Sequence, residues 1–335
     1  MTMTLPRVAI VGYGWAARMH ARAAAALGLP VVGIVGPNAH KRDAFAVEFN
    51  AGESSADLLA LLETVRPQLT VIASPNADHF EQASQCVRAG SHVLVEKPVA
   101  TALADATALA RLAKEHRVTV SVGHMWRYHE DVMALRERIA RGEFGTVVRT
   151  HGYGVHANWG PSGWFTEIER AGGGALIDMG IHAIDTARYL LGDPLPIRVQ
   201  ASIGVSAFRQ GLEVDDDGLL IIDWNNGVRS LVEFGWWQSR VEGLEAETEI
   251  VGRDGSAQIW PDFRSFDKEY EHCSLEMYRR QLEDVATSSQ IGQPSRVSIN
   301  VGIIALQIVC EAYEAERVSY YPTKHIKTWE PQWHE

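Results

Sequence analysis

With 335 residues the chain exceeds one ordinary core, so two domains are expected. A formal net charge of -11 excludes nucleic acid and anionic membrane as partners, since both need basic surface. Three well-separated cysteines, Cys86, Cys273 and Cys310, suggest neither a disulfide framework nor a zinc cluster, and no metal is expected.

The first element is an apolar run, Val8 to Val11, that leads directly into Gly12-Tyr13-Gly14-Trp15-Ala16-Ala17 and an alanine-rich segment ending near Gly28. Strand, glycine turn and helix N-terminus in that order direct backbone N–H groups and a helix dipole at a pyrophosphate, so the segment reads as a dinucleotide site. Gly12 permits the tight turn, Gly14 lets the backbone approach the phosphates, and Ala17 takes the small position where helix packs on strand. Short β-branched runs then alternate with helical stretches. Strands are predicted at 31–35, 69–73, 92–95 and 119–122, with helices around 16–27, 41–49, 56–64, 80–89 and 102–116, the pattern of a parallel sheet with crossover helices.

Beyond the second strand the chain reads Val35-Gly36-Pro37-Asn38-Ala39-His40-Lys41-Arg42. A carboxylate that would bond the adenosine ribose is expected about twenty residues past the glycine motif, and it is missing. Asn38 can bond a ribose hydroxyl, whereas Lys41 or Arg42 can receive a 2′-phosphate, so NAD and NADP both stay open. Two further loops follow strands: Ser74-Pro75-Asn76-Ala77-Asp78-His79, and Glu96-Lys97-Pro98. Ligands of open α/β sheets bind beyond the carboxyl ends of strands, so both loops should line the cofactor crevice. Lys97 is there a proton-transfer or carbonyl-orienting group.

The alternation stops after Val122. A helix near 130–141, a glycine-rich section and another helix precede strands at 218–223, 229–236 and 247–252, which imply a second, largely antiparallel sheet. Helices near 275–289 and 301–314 close the body. Within the glycine-rich part, Gly172-Gly173-Gly174 opens a helix that Gly192-Asp193-Pro194 ends. Asp178 and His182 stand one turn apart on one face of it, with Asp185 close to that face. A carboxylate and an imidazole so spaced can bind one small polyol. The segment 151–165, with His156, Trp159, Trp164 and Phe165, concentrates aromatics and hydrogen-bonding groups suited to a pyranose or cyclitol, and Arg127 and His124 are further pocket candidates. Trp236-Trp237 alternates across a strand, so one ring serves the core or a subunit contact.

Taken together, Gly12-x-Gly14-x-x-Ala17 with His20, Pro75-Asn76 with His79, Glu96-Lys97-Pro98, Arg127-Tyr128, and Gly172-Gly173-Gly174 through Asp178 and His182 resemble the Gfo/Idh/MocA oxidoreductases over nearly the whole chain. The resemblance implies an α/β protein: an N-terminal Rossmann domain with a doubly wound parallel sheet (1–123), then an α+β substrate and oligomerisation domain with a large, open, mostly antiparallel sheet (124–335). It implies NAD or NADP as cofactor, a sugar, cyclitol or sugar derivative as substrate, and a homo-dimer or homo-tetramer. Position by position, Lys97 and His182 match the family's catalytic lysine and histidine, and Asp178 the aspartate that holds substrate hydroxyls.

The expected activity is hydride transfer between a nicotinamide and a secondary alcohol or hemiacetal. His182 would be the general base, Lys97 would bond the reacting oxygen and Asp178 would fix a neighbouring hydroxyl. Expected cofactor contacts are Gly12, Tyr13, Gly14, Trp15, Ala16, Gly36, Pro37, Asn38, Lys41, Ser74, Pro75, Asn76, His79, Glu96 and Lys97. Substrate contacts are expected from Lys97, Arg127, His156, Trp159, Trp164, Asp178 and His182. Two other classes compete: a redox-neutral, NAD-dependent glycosidase that oxidises the sugar only transiently, and a non-catalytic sugar or cofactor sensor. No apolar run reaches the ~18 to 20 residues of a membrane span and the first residues lack a signal-peptide layout, so a cytoplasmic location is expected.

Overall fold

The computed structural model describes residues 5–157, 160–206, 211–238, 244–259 and 268–319. Asn158 and Trp159 lie outside the described residues, as does the side chain of Trp237.

The first half is a six-stranded, all-parallel sheet in the order β3-β2-β1-β4-β5-β6. Its strands are β1 (Val8–Val11), β2 (Val31–Val35), β3 (Glu53–Ser55), β4 (Leu69–Ile72), β5 (His92–Val95) and β6 (Val120–Val122). Helices α1 (Trp15–Ala26), α2 (Ala39–Glu48), α3 (Leu58–Val65), α4 (His79–Arg88) and α5 (Leu103–His116) cross between them. Strands β1, β4 and most of β5 are buried on both faces, which is why they read as unbroken apolar runs. Strand β3 has no such signature. It is a three-residue polar edge that pairs with β2 alone, and the apolar pattern gives no warning of it. The strand order reverses between β1 and β4, so the crevice of this sheet opens beyond their carboxyl ends.

After α6 (Glu130–Ala140) the chain enters a second six-stranded sheet through β7 (Val147–Ala157). A one-turn helix α7 (Ile168–Ala171) and α8 (Ile181–Leu190) intervene before β8 (Pro196–Gly204), β9 (Asp217–Trp224), β10 (Arg229–Gln238), β11 (Leu244–Gly252) and β12 (Ser256–Ile259). The order is β12-β11-β7-β10-β9-β8, antiparallel except where β7 runs alongside β10. The first part of the aromatic segment expected to face substrate is therefore a central strand. His151 and Tyr153 stack with ring centroids 4.6 Å apart, and His151 bonds Glu233 on the neighbouring strand. On the other face, a Cβ at Gly154 would sit 2.4 Å from the Met179 carbonyl oxygen. Gly154 therefore serves the close approach of the site helix to this strand.

The last helices are α9 (Lys268–Ile291) and α10 (Ile299–Ser319). Helix α9 packs on α1, where Tyr278 meets both Trp15 and His20 edge-on, and α10 packs on β8 of the second sheet as well as on α5 and β6 of the first half. Val297 also accepts a backbone bond from Val122 at 2.8 Å. The two closing helices thus pack against elements of the first half, and α10 bridges that half to the second sheet. Among the described residues, no helix is long and apolar enough to cross a membrane.

Candidate active site

The glycine turn forms as the spacing requires. Gly12 has φ +103°, and a Cβ there would sit 2.3 Å from the Ala73 carbonyl oxygen, so only glycine lets β1 turn this close to the end of β4. Gly14 is the N-cap of α1 with no side-chain cap, no acidic residue follows in the first turn, and an added Cβ at Gly14 meets no protein atom within 4 Å. Uncapped N–H groups, an unopposed helix dipole and an open approach fit the pyrophosphate of a dinucleotide.

A single cavity of about 1640 Å³ runs from this turn to the second sheet. At its far end it is lined by Lys97, Asp178, His182, His156 and Trp164. Of the expected cofactor residues, Tyr13, Trp15, Gly36, Pro37, Lys41, Ser74, Pro75, Asn76, His79 and Glu96 line it together with the glycine turn. Asn38 does not. Its side-chain oxygen accepts from the Lys41 backbone N–H at 3.0 Å and caps α2, so that oxygen is committed to the helix. Arg42 is likewise occupied, donating to Gly36 O and Ser54 Oγ. The missing carboxylate at the end of β2 has a steric reason: a Cβ at Gly36 would lie 2.4 Å from the Tyr13 ring.

The loops after β4 and β5 are tied together under the crevice. The ring of His79 lies between the carbonyl oxygens of Pro98, 2.7 Å from Nδ1, and Ser74, 2.9 Å from Nε2. His20 of α1 meets Glu96 at 2.8 Å. Burial acts to raise the Glu96 carboxyl, but the hydrogen bond and charge of His20, with the charge of Lys97, hold it below its ordinary value. The Asn76 amide donates to Ala171 O at 2.8 Å, which joins the first-domain crevice to α7.

The helix bearing Asp178 and His182 begins irregularly. Gly174 approaches Asp215 so closely that a Cβ would sit 1.8 Å from its carbonyl oxygen. The Asp215 carboxylate accepts from the backbone N–H groups of Gly174 and Leu176, each at 2.8 Å, and from the Tyr313 hydroxyl at 2.7 Å. A single wide π-type turn over Leu176–Gly180 follows before α8 proper, a device that recurs at functional sites. It carries Asp178 into contact with Lys97, whose Nζ donates to the Asp178 carbonyl at 2.7 Å and to Oδ1 at 3.0 Å. The other carboxylate oxygen, Oδ2, accepts from the Trp236 indole N–H at 3.1 Å. Nothing in the local sequence around Trp236 signals that role.

His182 is buried. Burial, with the charges of Lys97 and His124 added, pushes its imidazole well below the ordinary value and favours the neutral ring. Arg127 does not reach the cavity. It is 1% exposed and grips Asp185 through Nε at 2.8 Å and Nη2 at 2.7 Å, with Asp193 as a further partner. Asp185, which follows His182 by three residues on α8, is turned to that ion pair and away from the polyol face expected for it. The two pair because a charge this deeply buried requires its partner.

Residues 6–124 match the profile described as "Oxidoreductase family, NAD-binding Rossmann fold", and residues 132–258 match the Gfo/Idh/MocA C-terminal domain. The chain belongs to the Gfo/Idh/MocA oxidoreductases. It is thus an enzyme with a nicotinamide dinucleotide as cofactor. It is 27% identical over 319 residues to the rhizopine catabolism protein MocA of Rhizobium meliloti, covering 93% of this chain and 95% of that one. It is 32% identical over 205 residues to the D-glucoside 3-dehydrogenase of Escherichia coli, covering 60% of this chain and 58% of that one. The structure of GenD2 from gentamicin A biosynthesis, in complex with NAD, superposes with a TM-score of 0.85 at 25% identity, over 95% of this chain and 96% of that one.

Proposed function

We propose that this protein oxidises a secondary alcohol of a sugar, cyclitol or sugar derivative, or reduces the corresponding ketone, with NAD or NADP. The observation that carries the reading is the single cavity in which the dinucleotide turn and the trio Lys97, Asp178 and His182 meet. When bound, the nicotinamide supplies the hydride acceptor. The chain supplies everything else. The neutral ring of His182 takes the hydroxyl proton in the oxidising direction. Two Lys97 N–H groups are committed to Asp178, and the third is left for the reacting oxygen. Asp178, held by Lys97 and Trp236, keeps lone pairs for an adjacent hydroxyl. His156 and the stacked pair Trp164–Phe165, with centroids 3.9 Å apart, offer a hydrogen-bonding edge and an apolar wall for the ring.

The test is cofactor absorbance with a panel of inositols, aldoses, 1,5-anhydro sugars and glycosides, each with NAD and with NADP. Reduction of one cofactor by one polyol supports the reading and names the cofactor. Consumption of a glycoside at constant absorbance replaces it with redox-neutral hydrolysis; absence of both reaction and cofactor binding removes it.

A further inference from the structure

Asp178 accepts from Lys97 and Trp236 and makes no hydrogen bond to His182. The imidazole of a general base is ordinarily fixed through its second nitrogen, which sets the tautomer and stabilises the cation that forms. In His182 that nitrogen is Nδ1, which is buried and has no hydrogen-bond partner among the described residues, whereas Nε2 is not sealed in this way and the residue lines the cavity. A second histidine lies against the same helix, beside Asp185. His124 follows β6 by two residues, is 1% exposed, and both of its ring nitrogens are buried without a hydrogen-bond partner among the described residues. Its Nδ1 lies 3.6 Å from Asp185 Oδ2, slightly beyond hydrogen-bond range, and Asp185 follows His182 by three residues on α8, one turn along the same helix. The charged groups facing His124 are Asp185, Arg127, Glu96, Lys97 and His182.

We infer that His124 is the positioning residue of His182, forming a buried relay from His182 through His124 to Asp185. The hydrogen-bond inventory fixes its sense. Asp185 is held as a carboxylate by Arg127, so it accepts and His124 donates through Nδ1–H. Neutral His124 then presents a bare Nε2, which accepts the Nδ1–H of His182 through one buried water. His182 is left with a bare Nε2 towards the cavity, the tautomer a general base needs. When the substrate hydroxyl gives its proton to that Nε2, the carbinol carbon loses hydride to the nicotinamide and becomes a carbonyl. The positive charge on His182 is then shared along the bond to His124 and balanced by Asp185.

The relay rests on the dehydrogenase reading only for its kinetic arm. The first arm needs no substrate. In full-length protein with ring-¹⁵N histidine, the His182 signals, assigned by their loss in His182→Asn, should report a proton on Nδ1 and a bare Nε2 at neutral pH. In His124→Phe, and in His124→Asn should the former fail to fold, the two tautomers should mix. An unchanged tautomer overturns the relay.

The second arm uses the polyol that reduces cofactor in the panel. There kcat should fall at least about tenfold with KM near wild type. A wild-type kcat overturns the relay, as does a loss confined to KM. If no polyol is turned over by the wild type, the dehydrogenase reading falls and the tautomer alone decides the relay.

Discussion

Trp236 donates its indole N–H to Asp178 Oδ2 at 3.1 Å, from a central strand of the second sheet to the wide turn that opens the site helix. The bond leaves the carboxylate plane with little freedom, since Lys97 holds the opposite oxygen. Trp236→Phe keeps an aromatic ring in the core and deletes this donor. Losing a hydrogen bond to a charged group costs about 1.5–3 kcal/mol, so kcat/KM should fall roughly tenfold or more, mainly through KM. Steady-state kinetics beside a thermal melt separate this outcome from simple unfolding.

His182→Ala should leave the fold and dinucleotide binding intact while turnover drops about 10²- to 10⁴-fold, the range for a positioned proton-transfer group. Calorimetric cofactor binding and turnover on the same preparation check it, and nearly full activity would remove His182 from the chemistry.

The same ring sets a sign for stability against pH. Burial lowers the folded-state pKa of both His182 and His124, so over the window below the ordinary imidazole value the unfolded chain binds protons that the folded chain refuses. Stability is complete above that value and falls as pH drops towards the lowered folded values. Each such group contributes a slope of about 1.4 kcal/mol per pH unit. Urea unfolding across this window should show a shallower slope in His124→Phe than in the wild type.

Arg127 belongs to the core and not to the substrate pocket. Arg127→Gln strands Asp185 as an unpaired buried charge and should cost about 3–5 kcal/mol of stability. KM for the polyol should stay unchanged below the melting transition. A raised KM with unaltered stability would return Arg127 to the pocket.

Lys41 lines the cavity beside the first turn of α2, where no carboxylate stands at the end of β2. Lys41→Glu should lower affinity for NADP relative to NAD by about tenfold or more through charge alone. Calorimetric titration of each dinucleotide measures the ratio, and an unchanged ratio would take Lys41 out of cofactor choice.

The chemistry-bearing segments were legible because each is a local pattern. The turn at Gly12 and Gly14 needs only a strand before it and a helix after it. Lys97 sits directly after an apolar strand, and Asp178 and His182 share a helix face. The buried parallel strands announced themselves as apolar runs, whereas β3, β7 and β8 did not: a short polar edge, a glycine-bearing central strand and a strand with one exposed face lack a distinctive run. What sequence could not supply was the partner of each polar group, because partners are chosen by packing between distant segments. Asn38 read as a ribose ligand and became a helix cap; Arg127 read as a pocket residue and became the counter-ion of Asp185. The same tertiary pairing put Trp236 behind Asp178 and His124 near Asp185, 61 residues away along the chain. The amino-acid order fixed which groups were available, and desolvation decided their roles, since a buried charge or donor must find whatever complement the fold brings within reach.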